Sequence, residues 1–361
     1  MPLIWCSISG HGLGHASQVI PVLNELGTLV PDLTVILRTT VPEWIFQQRL
    51  HVPFEIEAVE QDVGCIQDGP LYIDVEKTWQ AYREFHRHWK QRLTGETEAI
   101  RRRAPRLLLS DISYLAIDAG AHAGVDTVAV SSLSWDSILE GLSGSQDADP
   151  AMFRRITDSY GRTDLMVRVA PGLDMPAFRH VVDVGPIVDS LTPNKPAVRE
   201  AADIREDECL VVIGFGGIPV TSLPWQHIDH LTGYRFIVPG EVPADTHRIV
   251  SADRLPFTFR TIMASADVLM TKPGYASSVE AVAMGTPVIY VRRYNFGDET
   301  TLVKYLHRYG RGIELPVEQF SNGQWQHALE HAMKLPSPLE SPPPPTGQRD
   351  AALILARYFH G

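Results

Sequence analysis

The sequence predicts an α/β protein built from two facing Rossmann-like domains, each with a parallel sheet. Three observations lead there. Short apolar runs recur without apolar/polar alternation, at residues 3–8, 33–37, 107–109 and 127–130 and again at 210–213, 236–238, 268–270 and 288–291. Strands read this way when both faces of their sheet are covered. Segments able to form helices separate the runs, among them residues 17–26, where Val19, Val22, Leu23 and Leu26 stand at helical spacing, and the polar, basic stretch 79–93. Finally, a strand passes into a glycine loop twice, after residue 8 and after residue 213, so the chain starts a βαβ series two times.

Length agrees with this division, since 361 residues exceed what one hydrophobic core usually serves. A Pro-rich, polar passage at 185–196 separates the two series and places the domains at 1–190 and 197–335. Residues 336–346 carry a polyproline run that lacks amide donors, which makes it a spacer. Beyond it, residues 347–361 set Ala352, Leu353, Leu355 and Ala356 on an apolar helical face, expected to pack back on the first domain.

Composition excludes several classes. A formal net charge of -11 repels nucleic acid and anionic lipid. The basic residues between Arg83 and Arg106 read as a solvated helix face rather than a phosphate- or lipid-binding patch. Cys6, Cys65 and Cys209 are odd in number and lack CxxC spacing, which argues against disulfides and structural zinc. The first residues have no basic stretch, and no run reaches the ~18 apolar residues of a spanning helix. The expectation is a soluble cytoplasmic protein, peripheral to membranes at most.

The first glycine loop, Ser9-Gly10-His11-Gly12-Leu13-Gly14-His15, allows a tight strand-to-helix turn and close approach of a ligand at Gly12 and Gly14. A dinucleotide site would want an acidic residue at the end of the next strand, but that strand ends Leu37-Arg38-Thr39-Thr40. Arg38 leaves an NADP enzyme as a minor alternative. His15, or alternatively His11, suits proton abstraction from a hydroxyl, the competing reading being a backbone hydrogen bond within the turn. The strand at 107–109 runs into Ser110-Asp111, on the same rim of the sheet, so Asp111 either orients the imidazole or caps the next helix.

In the second half, residues 211–217 again run from strand to glycines, ending Gly214-Phe215-Gly216-Gly217. Then comes Thr271-Lys272-Pro273-Gly274-Tyr275-Ala276-Ser277-Ser278-Val279-Glu280, closed by Gly285-Thr286-Pro287. Gly274, Ser277 and Ser278 suit a helix N-terminus that holds a diphosphate, and Glu280 stands where a carboxylate reaches a ribose diol. After the next strand, Asp298-Glu299 offers acceptors for sugar hydroxyls.

The block from Pro273 to Pro287 resembles the donor-nucleotide signature of inverting GT-B glycosyltransferases, including the plant secondary-product enzymes and the lipid II N-acetylglucosaminyltransferase. The resemblance implies that Glu280 binds the ribose, that residues 214–217 lie against the diphosphate, and that Gly14-His15 and Asp111 match the family's Gly-His and its paired Asp. The family's sugar-contacting Asp/Glu-Gln reads Asp298-Glu299 here, a departure at the second position. A longer similarity, through GHGLGHASQV, SSLSWDSI, PAFRHVVDV, TKPGYASSVEA and PVIYVRR, is to the glycosyltransferase-like half of plant L-arabinokinases.

The function expected is inverting, metal-independent transfer from a nucleotide-sugar donor, a UDP-sugar, to an unidentified hydroxyl acceptor. His15 is the expected base and Asp111 its partner. Gly216, Gly217, Lys272, Ser277 and Ser278 would stabilise the leaving diphosphate, with no cofactor and no metal. Asp147-Ala148-Asp149, the one DxD-like run, reads as a solvated loop. Two rivals share the architecture: a non-catalytic nucleotide-sugar sensor and a UDP-sugar epimerase.

Overall fold

A computed structural model describes residues 1–142, 149–189, 191–217 and 223–359. Asp147 and Ala148 of the DxD-like run, Ser190 of the Pro-rich passage and the last two residues of the chain lie outside the described residues. The first sheet contains β1 (Leu3–Ile8), β2 (Thr34–Arg38), β3 (Phe54–Glu57), β4 (Leu107–Asp111), β5 (Thr127–Ser131), β6 (Leu165–Val169) and β7 (Val181–Val184). These lie in the order β3-β2-β1-β4-β5-β6-β7, every pair parallel.

The second sheet contains β8 (Cys209–Ile213), β9 (Tyr234–Val238), β10 (Ile249–Ser251), β11 (Val268–Thr271), β12 (Val288–Tyr290) and β13 (Gly312–Glu314). Its order is β10-β9-β8-β11-β12-β13, again all parallel. The central strands are buried on both faces, which is why their sequences do not alternate.

Each sheet reverses its strand order beside its first strand, between β1 and β4 and between β8 and β11. At such a switch point the loops leave in opposite directions and open a crevice at the carboxyl ends of the strands. Register aligns the crevice walls. Ile8 pairs with Asp111, so the first glycine loop and the end of β4 emerge at one level, and Ile213 pairs with Met270, so residues 214–217 and Lys272 do the same.

The basic stretch forms two helices, Val75–Arg87 and Trp89–Arg103, not the single one expected over 79–93. They part at His88, where the chain turns Trp89 inward to stack on His86 at 5.2 Å and on Tyr114 at 5.8 Å. The last helix, Gly347–Ala356, packs against the first helix, Gly14–Leu29, and β7. That contact needs glycine: a Cβ on Gly347 would stand 2.0 Å from the Gly185 carbonyl oxygen. One apolar cluster runs from β1 through both helices to Val212, Val279 and Leu306 beneath the second sheet.

Candidate active site

His15 lies in the first turn of the helix after β1, and its Nδ1 stands 2.8 Å from Asp111 Oδ2 at the end of β4. The imidazole is 6% exposed and the carboxylate fully buried. Among the described residues no hydrogen-bond donor other than this imidazole approaches Asp111. The helix that follows takes Ser113 as its N-cap, which leaves Asp111 to the histidine. Between them Ile112 holds a φ of 54°, a conformation costly for a β-branched residue, and Tyr160 donates its hydroxyl to the Ile112 carbonyl at 2.8 Å. Burial opposes charge on His15, but Asp111, backed by Asp62 and Asp298, holds its pKa above the ordinary imidazole value.

Asp62 is a neighbour that the sequence reading does not single out. It lies in the loop after β3, 5% exposed, and accepts from Ser9 Oγ at 2.9 Å and Ser113 Oγ at 3.1 Å. Burial pushes its carboxyl up to about 6, against the pull of His15 and its hydrogen bonds.

His11 is engaged differently. Its Nδ1 accepts from the Cys65 amide at 3.2 Å, its Nε2 lies 2.9 Å from the Gln67 amide nitrogen, and its ring stands edge-on to Trp135 and stacks on Phe296. Burial, then His15, Lys272 and Arg293, hold its pKa well below the ordinary value. With both nitrogens committed, His11 tethers the loop after β3 to the glycine loop. Arg38 is also committed, to Glu57 and Glu96 and over the Trp5 ring, so it has no freedom to meet a 2′-phosphate.

On the facing rim, Lys272 and Pro273 are buried just before the helix Tyr275–Met284, whose N-cap is Gly274. Lys272 is pushed down to about 7 by burial and by Arg293. Its Nζ reaches Gln67 Oε1 at 3.5 Å, across the cleft. Ser277 is half-buried beside Glu280, whereas the Ser278 hydroxyl is buried without a partner among the described residues.

Glu280 is 6% exposed and pairs with Arg260 at 3.0 Å. Arg260 also stands 3.4 Å from Asp189, which Arg49 of the first domain meets at 2.8 Å. Glu299 is fully buried and doubly held by Arg293, through its amide at 2.9 Å and its Nε at 2.6 Å, so its acceptors are taken up within the protein. Asp298, by contrast, has a buried Oδ1 without a partner among the described residues. Burial pushes its carboxyl up to about 7, and its field reaches both Lys272 and His15.

The rims are in contact. A Cβ on Gly12 would stand 3.9 Å from the Gly216 carbonyl oxygen, one on Gly217 would meet Leu13 at 2.7 Å, and one on Gly216 would lie 3.6 Å from Lys272 Cε. Gly12, Gly216 and Gly217 all have positive φ, near 70–80°, where glycine is the natural residue. Gly14 opens the helix with no neighbour within 4 Å of its missing side chain. Leu71 of the loop after β3 packs on the second domain's core, and Tyr275 joins the domains by donating its hydroxyl to the Ala170 carbonyl at 2.8 Å. A cavity of about 440 Å³, walled by Phe215, Leu223, Trp225 and Val238, adjoins the second glycine loop.

This two-sheet architecture with its cleft is the GT-B glycosyltransferase fold. A UDP-glucosyltransferase from Polygonum tinctorium capable of glucosylating indoxyl superposes with a TM-score of 0.62 at 15% identity, over 100% of this chain and 99% of that one. The calicheamicin glycosyltransferase CalG4 gives 0.61 at 15% identity, over 99% and 94%. Phytolacca americana UGT2, complexed with UDP-2-fluoro-glucose and pterostilbene, gives 0.61 at 14% identity, over 99% and 94%.

In sequence, the chain is 30% identical to L-arabinokinase of Arabidopsis thaliana over 342 residues, which bears out the similarity read from its motifs. The match takes in 91% of this chain and 32% of that protein, so the chain spans about a third of the curated relative's length. No family model matches the chain. Among the described residues no helix is long and apolar enough to cross a membrane.

Proposed function

We propose that the chain transfers a sugar from a nucleotide-sugar donor, a UDP-sugar, to a hydroxyl acceptor with inversion at the anomeric carbon. The observation that carries this reading is the His15–Asp111 pair at 2.8 Å, facing Lys272 and the second glycine loop across a GT-B cleft. His15 Nδ1–H donates a hydrogen bond to the Asp111 carboxylate, which leaves Nε2 to take the acceptor's proton. The acceptor oxygen then bonds to the anomeric carbon as the bond to the diphosphate breaks on the opposite face. The leaving group gathers charge, and Lys272, the amides of Gly216 and Gly217 and the helix N-terminus at Gly274, Ser277 and Ser278 meet that charge without a metal ion.

The first domain takes the acceptor and the second the donor. Asp298 serves the sugar hydroxyls, and Glu280 takes the ribose once Arg260 swings off it. Because the rims touch, the donor enters an opened form, and the loop after β3 closes over it. The test is a thermal-shift screen of nucleotide sugars, followed by release of nucleoside diphosphate with pooled hydroxyl acceptors in excess EDTA. Release that survives chelation and requires an acceptor supports the reading. Donor binding without release points to a sensor, and conversion of donor without acceptor to an epimerase. Release only with added magnesium or manganese overturns the role given to Lys272.

A further inference from the structure

Two loops carry the base and its partner, and one buried carboxylate joins them. Ser9, just before Gly10 in the first glycine loop, donates to Asp62 Oδ1, and Ser113, two residues past Asp111, donates to Asp62 Oδ2. Ser113 is itself fixed, its amide bonding Ser110 Oγ at 2.9 Å. Neither serine supplies a cation, and the Asp62 charge acts on His15, whose pKa it helps to raise.

We propose that Asp62 is a positioning residue for the His15–Asp111 pair: it fastens the two loops that bear them and gives the imidazole a second carboxylate. This rests on the reading of His15 as the base. One carboxylate at Nδ1 orients the ring, and a second, whose oxygens are taken by Ser9 and Ser113, strengthens the ring as a proton acceptor without competing for Nδ1. Other charged or titratable groups also face His15. They are Asp111 from β4, Asp298 from the second domain and His11 from the glycine loop, with Lys272 beyond His11. Asp298 belongs to the opposite rim and moves away when the cleft opens, whereas Asp62 stays with the imidazole because both of its serine ties lie in the first domain.

Asparagine at position 62 retains the shape and can still bond both serine hydroxyls, which isolates the charge. The His15 ring is followed by NMR titration of the full chain without ligand, comparing wild type, Asp62→Asn and Asp111→Asn. Asp62→Asn is expected to lower the His15 titration midpoint by roughly half a pH unit or more, and Asp111→Asn by more. In turnover, Asp62→Asn should lower kcat about tenfold, leave KM for the donor within about twofold and move the acid limb of kcat/KM to lower pH.

An unchanged His15 midpoint in folded Asp62→Asn overturns the proposal, whatever happens to turnover. A lowered midpoint in a chain that transfers no sugar supports the electrostatic role of Asp62 and defeats only the reading of function. Should Asp62→Asn melt early, Ser113→Ala removes one tie while retaining the aspartate, and its His15 midpoint must fall by a smaller amount for the proposal to stand.

Discussion

Beside His15 on the first domain's rim, neither carboxylate is paired with an arginine or lysine among the described residues: Asp111 meets His15, and Asp62 takes the hydroxyls of Ser9 and Ser113. Across the cleft, two of the three carboxylates of interest are held by arginine, Glu280 by Arg260 and Glu299 by Arg293. A buried carboxylate facing an imidazole is arranged to gain from a proton arriving there. One already paired with a guanidinium gives up that pair before it can serve a ligand. On the proposed function, the first rim is thus preorganised for chemistry, while binding on the other requires an exchange of partners.

The two rims should differ most at His15. His15→Ala should lower nucleotide release by about two to four orders of magnitude while calorimetry finds donor affinity within a few-fold, because the contacts proposed for the donor lie on the other rim. Asp111→Asn should give a smaller loss in rate, since an amide still orients the ring but no longer favours the imidazolium. If His11→Ala abolishes release and His15→Ala does not, the base is the other histidine.

Glu280→Ala comes next. Loss of a charge-assisted bond to the ribose should cost on the order of 1.5 to 3 kcal/mol, hence roughly tenfold or more in donor affinity by calorimetry. Wild-type affinity in this variant would mean that Arg260 never releases the carboxylate and that the ribose is held elsewhere.

The pH dependence of binding reports on Lys272, which burial brings down to about 7. A diphosphate favours the ammonium, so binding takes up a proton and weakens as pH rises through the free protein's value. Between pH 7 and pH 8 the free lysine goes from about half protonated to about one-tenth, which predicts an affinity roughly fivefold lower at pH 8. Calorimetry in buffers of different ionisation enthalpy checks the proton uptake, and Lys272→Met should remove it.

The sequence makes the middle of each sheet legible and its edges obscure, for a physical reason. Strands β1, β4, β5, β8 and β11 are buried on both faces and read as apolar runs. β3 alternates half-buried and exposed residues, β7 exposes Val181 and Val182, β10 and β13 are three residues long, and Arg168 interrupts β6. The site follows the same division. Asp111 ends one legible central strand and His15 opens the helix after another, so their adjacency follows from the rim of a parallel sheet. Asp62 and Gln67 lie beyond β3, an edge strand that gives too weak a signal to place its loop. Arg260 stands outside the matched passages and Arg293 closes one of them, PVIYVRR, but their pairing with Glu280 and Glu299 is a fact of tertiary packing.

The smallest effect is expected from Arg260→Ala, which alters the second domain's rim without removing any group proposed to hold the donor. In the closed structure Arg260 neutralises Glu280 and touches Asp189, to which Arg49 of the first domain is bound. Two consequences oppose each other. Freeing Glu280 spares the donor the exchange and favours binding, but an unpaired buried carboxylate is pushed toward its neutral form, a poorer acceptor for ribose hydroxyls. Burial raises the Glu280 carboxyl and Arg260 pulls it down, so removing Arg260 shifts it further up and makes any gain from freeing the carboxylate grow with pH. Donor affinity is therefore expected to rise about threefold at pH 8 and to gain less at pH 6, with a modest fall in melting temperature from loss of the interdomain pair. Tenfold weaker binding at both pH values would show that Arg260 is itself a donor ligand, and would place a cation where the comparison places only a competitor.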